Sequence, residues 1–400
     1  MLTDACFKFA LESLKKCMMM EPKTNVFFSP HLLYHNLLVI YFGTTNEIEE
    51  SLRKILNIPD DISKAFLQQY YFICGYNQFC YIINGSDRPT DEPESYHYTC
   101  RIFSRIWTSE CKRMYIETMN LFSSGHQLKE ITFQLRPEHA RNFFNNSIKS
   151  VTQGRIENLL GPESIHVKTE VVLFNAIYCK GQLSGSFDFD INNCQNKKNG
   201  RVRQMLKNEN LNKDKSSSEK SLLEAYIMEV PCKEKDISTF FFFPSQTLES
   251  DKSNPTESDK IIKLIEQMTT EKGSEELRRL LDNGLSQKTN LVFPIFKLEQ
   301  DLRMYDLLDS LGLSDIAPLG EVDLTEFTCL PMMLGDAVHR ISINLTSSDI
   351  TVAAANVFIT ENECQHERKD TDLDVLFPCV CLIYNRSRSN ILFCGVLLGN

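Results

Sequence analysis

Apolar side chains recur every three to four residues at the start of the chain. Phe7, Ala10, Leu11, Leu14, Cys17 and Met18 fall on one stripe, which predicts an amphipathic helix. Residues 25 to 43, NVFFSPHLLYHNLLVIYFG, predict a short apolar strand followed by a helix with legible ends. Ser29 suits the N-cap, Pro30 the first helical turn and Gly43 a left-handed C-terminal position. From Glu138 to Leu160 the spacing predicts a helix with Phe143, Ile148 and Val151 inward, ending in the turn Thr152-Gln153-Gly154. Thr169 to Tyr178, TEVVLFNAIY, is a continuous apolar run of the kind found in strands buried on both faces.

One stretch fits no single element. From Ile350 to Thr360 the chain reads ITVAAANVFIT, with no charged residue, no Gly and no Pro, and it runs straight into the polar ENECQHERKDTD. The apolar half suits a pleated surface and the polar half an exposed loop. With no turn signal at the join, the segment can be strand in one state and loop in another.

Polar stretches at 207 to 222 and 245 to 260 are too short to be interdomain linkers. Helices and strands interleave without an internal repeat or a step in composition, which predicts one α+β domain over residues 1–400.

Composition narrows the class. The 400 residues are 42% hydrophobic and 24% charged, a globular balance with length enough for a large core. The net charge of −10 and the lack of a Lys/Arg block argue against nucleic acid or an anionic membrane as partner. No apolar run is long enough to span a bilayer. Asp4 and the broken apolar pattern after it depart from a secretory signal, and the 14 cysteines are scattered rather than framed. A cytoplasmic protein with reduced thiols is expected, with export by a non-classical route as the alternative. The sequons at Asn84 and Asn344 then stay unmodified.

No GxSxG turn, HExxH helix or phosphate-binding glycine loop occurs, so no enzyme, metal site or cofactor is expected. The 8 histidines are mostly isolated and read as structural or exposed. Cys379 and Cys381 alternate within a strand pattern and share one face, which reads as core rather than zinc. Trp107, in IFSRIWTSE, reads as strand core.

Several separated segments match one family in order. NVFFSP at 25 to 30, TQGRIENLL at 152 to 160, LFNAIYCKGQ at 173 to 182, FPIFKLE at 293 to 299, VHRISINL at 338 to 345 and FPCVCLIYNRSRSNILFCGVLLGN at 377 to 400 resemble the serpins, of the signal-less, ovalbumin-like type. The resemblance implies an α+β fold of three β-sheets and eight or nine helices with an exposed reactive-centre loop, here about 347–376. In inhibitory members a protease cleaves that loop, stays attached as an acyl-enzyme and is carried along as the loop inserts into the central sheet. The implied partner is a serine protease, or alternatively a cysteine protease, and the chain is expected to be monomeric.

Residue physics supports insertion independently. With Ile350 inward, the core-facing set is Ile350, Val352, Ala354 and Asn356, of which only Asn356 is polar. Burying an Ile or Val contributes roughly 1.5 to 3 kcal/mol, and a charge at such a position opposes it strongly.

The hinge, however, departs from the inhibitory pattern of an acidic pair, a Gly, a Thr or Ser, and small residues. Here the hinge is Ser347, Ser348, Asp349 and Ile350, followed by Thr351, Val352, Ala353, Ala354 and Ala355. Bulk at Ile350 and Val352 is expected to slow insertion, and Leu183 stands where the family has Trp. Ser29, Asn175 and His339 match the polar cluster that gates sheet opening in the family, although each has an ordinary reading as a helix cap or strand residue.

Counting forward from the hinge puts the scissile bond between Glu363 and Cys364. Counting back from Pro378 puts it between Arg368 and Lys369, because the loop is four residues longer than the family's usual spacing. The first suits an acid-specific protease and the second a trypsin-like one. A non-inhibitory serpin that binds or supports structure is the alternative reading.

Overall fold

A computed structural model describes residues 2–70, 98–108, 128–130, 133, 135–169, 171–184, 222–233, 236–244, 256–285, 295–313, 334–360 and 378–398. The chain opens with helix α1 (Leu2–Met20), whose stripe Phe7, Ala10, Leu11, Leu14, Cys17 and Met18 is buried as the spacing predicts. Strand β1 (Val26–Phe28) leads into α2 (Pro30–Gly43), where the Ser29 hydroxyl accepts from the amide of Leu32 and Pro30 fills the first turn. Gly43 does not adopt the expected left-handed conformation. The helix ends instead on an extended Thr44, whose hydroxyl and amide both bond back to the Tyr41 carbonyl.

Helix α3 (Asn46–Ile55) and a helical stretch at 64–70 follow, then strands β2 (Tyr98–Thr108) and β3 (Leu128–Glu130). The side chain of Trp107 lies outside the described residues. Helix α4 (Pro137–Val151) ends at the expected turn rather than running on to Leu160: Thr152 caps it, and Gln153 and Gly154 take positive φ values of 53° and 73°. Its core side is Ala140, Phe144 and Ile148, whereas Phe143 is 39% exposed. Ile148 fixes the face, and at about 100° per residue Phe144 shares it while Phe143 falls to its side.

Strands β4 (Val171–Gln182), β5 (Ala225–Pro231) and β6 (Ile237–Pro244) precede helices α5 (Glu257–Thr269) and α6 (Glu271–Asn283). Of the polar stretch 207 to 222 only Leu222 is described, and that at 245 to 260 ends inside α5. Strand β7 (Phe296–Leu302), helix α7 (Met304–Ser310), and strands β8 (Leu334–Leu345), β9 (Asp349–Thr360), β10 (Cys379–Asn385) and β11 (Asn390–Leu397) complete the chain.

Two sheets hold these strands. One has the order β1-β11-β10-β6-β5 and the other β3-β2-β4-β9-β8-β7, with neighbours antiparallel except for the parallel pair β2 and β3. Of the three sheets implied by the resemblance, these two are among the described residues.

Apolar clusters fill both sides of each sheet. One cluster, with Ile177, Val352 and Ile341 on one wall and Cys381, Phe241 and Phe393 on the other, cements the two sheets together. Gly395 is where the smaller sheet closes on β1, since a Cβ there would lie 2.1 Å from the Phe27 ring. A second cluster packs α4 against the outer face of the larger sheet, and a third packs α1, α2 and α5 against the smaller.

Candidate functional site

The uncharged stretch forms β9, the fourth strand in a six-stranded sheet. It pairs over its length with β4 on one side, from Gln182↔Asp349 to Val172↔Ile359, and with β8 on the other, from Leu345↔Ile350 to Leu334↔Thr360. Its backbone polar groups are thereby satisfied on both edges, as a strand without solvent access requires. The first half of the loop that the resemblance implies is exposed therefore lies inside the sheet, and residues 361–377 lie outside the described residues.

Burial is two-sided rather than one-sided. Ile350, Val352 and Ala354 face the space between the two sheets, while Ala353, Ala355, Val357 and Ile359 join the cluster beneath α4. From Ile350 to Ile359 no residue is more than 4% exposed. The run of small and apolar residues is what permits this, since each position must fit beneath a packed layer. Ile350 and Val352 are accommodated opposite Leu345 and Ile343, their register partners on β8.

The strand begins from a closed turn at the hinge. The Thr346 amide donates to the Asp349 carbonyl at 2.9 Å, and the Thr346 hydroxyl accepts from the amides of Ser348 and Asp349 at 3.2 and 3.0 Å. Ser348 Oγ donates to the Asp349 carboxylate at 3.0 Å. Ser348 is exposed, so the carboxylate of Asp349 sits at the sheet's rim rather than in its core. Leu183 is buried at the neighbouring end of β4 and forms an isolated bridge with Cys232.

Ser29, Asn175 and His339 come together beneath the middle of β9. The Ser29 amide donates to His339 Nε2 at 3.2 Å, and its hydroxyl donates to the Leu392 carbonyl at 2.8 Å. Asn175 and His339 are the register partners of Asn356 on β4 and β8, so the three side chains share one row on one face. Burial depresses the His339 pKa to about 3, which keeps the ring neutral.

A fourth member, Asn36 of α2, accepts a hydrogen bond from Asn175 Nδ2. Sequence reasoning did not single it out. The available signal was a lone carboxamide in a helix whose only other strongly polar side chains are His31 and His35, HLLYHNLLVIYFG.

Cys379 and Cys381 are fully buried on one face of β10 as free thiols, and burial raises the pKa of each. Among the described residues no group of His, Cys, Asp and Glu is arranged to hold a metal. The candidate bonds Glu363–Cys364 and Arg368–Lys369 lie outside the described residues.

A family model described as serpin, serine protease inhibitor, matches residues 4–399. Serine protease inhibitor 88Ea of Drosophila melanogaster is 26% identical over 97% of this chain and 88% of its own length. Human serpin B9 is 28% identical over 98% of both chains, and leukocyte elastase inhibitor of Sus scrofa is 26% identical over 99% and 98%. Among solved structures, a loop-inserted, cleaved ovalbumin mutant superposes with a TM-score of 0.69 at 16% identity, covering 100% of both chains. Tengpin, a thermophilic serpin in its latent state, gives 0.64 at 17% identity over 100% of this chain and 97% of its own.

Proposed function

The chain belongs to the serpin family, and we propose that it is a suicide-substrate inhibitor of a serine protease that acts by cleavage and insertion of the loop at about 347–376. Membership sets it among protease inhibitors rather than enzymes. The observation that carries the reading is β9: from Asp349 to Thr360 the loop is compatible with every contact of a central strand, on both edges and both faces. A bait loop that inserts after cleavage converts that burial into the force that displaces an attached acyl-enzyme.

Strand β9 spans Asp349–Thr360, and both candidate bonds follow it in the sequence. Glu363–Cys364 is the preferred bond, because insertion length decides how far a captured protease is carried, and it suits an acid-specific serine protease. Arg368–Lys369 is the alternative and suits a trypsin-like one. A cysteine protease is the second class of target, and the inhibitor is taken to act as a monomer. Ser29, Asn175 and His339 are assigned the gating of the sheet. The buried thiols of Cys6, Cys17, Cys379, Cys381 and Cys394 accord with a cytoplasmic site of action.

A second reading, a non-inhibitory serpin, is favoured by bulky Ile350 and Val352 at the mouth of the slot and by Leu183 beside it. Slow insertion there lets the protease complete hydrolysis and leave.

Incubation with a protease panel separates the two. An SDS-resistant complex is expected for at least one serine protease, whereas cleaved inhibitor alone across the panel overturns the inhibitory reading. Mass spectrometry of the released fragment identifies the bond by its first residue, Cys364 or Lys369.

A further inference from the structure

Five buried polar atoms lie in and beneath one row of the six-stranded sheet without a hydrogen-bond partner: Asn36 Nδ2, Asn175 Oδ1, His339 Nδ1, and both Oδ1 and Nδ2 of Asn356. Buried polar atoms left without partners are destabilising, so a cluster of them at one place needs a reason. Their chemistry is complementary. His339 Nε2 accepts from the Ser29 amide, so in the neutral ring the proton sits on Nδ1, an unused donor. Asn175 has committed Nδ2 to Asn36, so its unused atom is the acceptor Oδ1. Asn356 stands between them in register, with an acceptor and a donor on one carboxamide.

We propose that Asn356 is the register-setting residue of the inserted strand, its Oδ1 accepting from His339 Nδ1–H and its Nδ2 donating to Asn175 Oδ1, directly after a side-chain rotation or through one water. The chain of donors then runs from the Ser29 amide through His339, Asn356 and Asn175 to Asn36 on α2. A slip of one residue moves the Asn356 side chain to the opposite face. A slip of two puts Ala354 or Phe358 between Asn175 and His339, and neither side chain can satisfy them.

Asn36 has a distinct part. By accepting from Asn175 Nδ2 it prevents that amide from turning its donor toward Asn356, where donor would meet donor. The row therefore specifies a single depth of insertion, as buried polar groups fix register in other assemblies. The inference rests on the insertion reading above.

The test uses full-length chain labelled with ¹⁵N-histidine, cleaved in the loop by a protease and studied by NMR, with His339→Gln assigning the signal. In the cleaved wild type, His339 is expected to carry its proton on Nδ1, and that proton is expected to exchange slowly with solvent. In Asn356→Ala the slow proton should disappear, and in Asn356→Thr, whose hydroxyl donates one bond and accepts another, it should return. Asn36→Ala should shift it without abolishing insertion. If cleavage raises the melting temperature but the His339 signal is the same in wild type and Asn356→Ala, the relay is wrong and insertion stands. If cleavage leaves the melting temperature unchanged in the wild type, both are overturned.

Discussion

The backbone N–H of Leu183 donates to the carbonyl of Ser348 at 2.9 Å, which ties the end of β4 to the turn where β9 begins. The same end of β4 is held from the other side, since Gln182 and Ser184 exchange backbone bonds with Lys233 and Pro231 at 2.8 and 2.9 Å. The mouth of the slot is thus braced on the β5 side, and the hinge turn is the part that must form as the strand enters. How firmly the inserted state is held at this end depends on the turn itself.

Thr346 is the side chain that makes the turn. Its hydroxyl serves two amides and the Asp349 carbonyl. Thr346→Val keeps the shape and removes all three bonds, which should cost roughly 1 kcal/mol because water reaches this rim and compensates in part. Chemical denaturation should find that loss in the loop-cleaved protein and little of it in the uncleaved one. Equal losses in both forms would mean the turn exists before insertion.

Ala354 lies between Ile177 and Ile341 in the ladder and is fully buried. Ala354→Asp puts an unpaired carboxylate among aliphatic side chains, a change of several kcal/mol against insertion. Cleavage of this variant should give no rise in melting temperature, and no SDS-resistant complex should form with any protease that traps the wild type. Asn142→Asp, at an exposed position of α4, is the control and should behave as wild type. A normal complex from Ala354→Asp would remove β9 from the mechanism.

Arg340 and Asp301 link β8 to β7 through two parallel bonds, from Nε to Oδ1 and from Nη2 to Oδ2, the latter at 2.7 Å. Arg340 also reaches the Glu157 carbonyl at 3.2 Å, beyond the end of α4. The Asp301 side chain is only 8% exposed, so Arg340→Ala strands a carboxylate, at a cost of about 3 kcal/mol or more. The double variant Arg340→Met/Asp301→Leu should recover most of that loss in urea denaturation. If the double variant is as unstable as the single one, the ion pair itself, rather than the stranded charge, carries the effect.

Elements with a one-sided pattern were readable from sequence because periodicity alone defines them: the α1 stripe and the Ser29 cap with Pro30 fall where their spacing put them. Phe143 and Phe144 are equally apolar, but Phe144 is the one four residues before Ile148 and so shares its face, which makes Phe143 a misread period. Other matches fail where neighbours decide. The alternation in ITVAAANVFIT suggested one inward face, but β9 is buried on both, because it has a sheet on one side and α4 on the other. Ser29, Asn175 and His339 were visible through their motif matches. Asn36 and the alignment of Asn356 depend on helix-to-sheet contact and on register, neither of which a single sequence displays.

Three histidines predict acid sensitivity, His31 and His339 buried and His35 half-buried. Burial depresses His339 to about 3, and burial with neighbouring Arg388 depresses His35 to about 4. His31 is also well below its ordinary value through burial, His35 and Arg388. Each is neutral when folded and takes up a proton near pH 6.5 when unfolded, so the unfolded state binds more protons as the pH falls. Their contribution is fully present above about pH 6.5 and is lost progressively toward the folded-state values, each histidine adding up to about 1.4 kcal/mol per pH unit of slope. Urea denaturation of wild type and His339→Gln between pH 7.5 and 4.5 isolates one of them. The variant should start less stable and lose stability less steeply, by about one proton's worth of slope below about pH 5.5. Parallel curves would show that His339 is protonated equally in both states and so is not held neutral beneath β9.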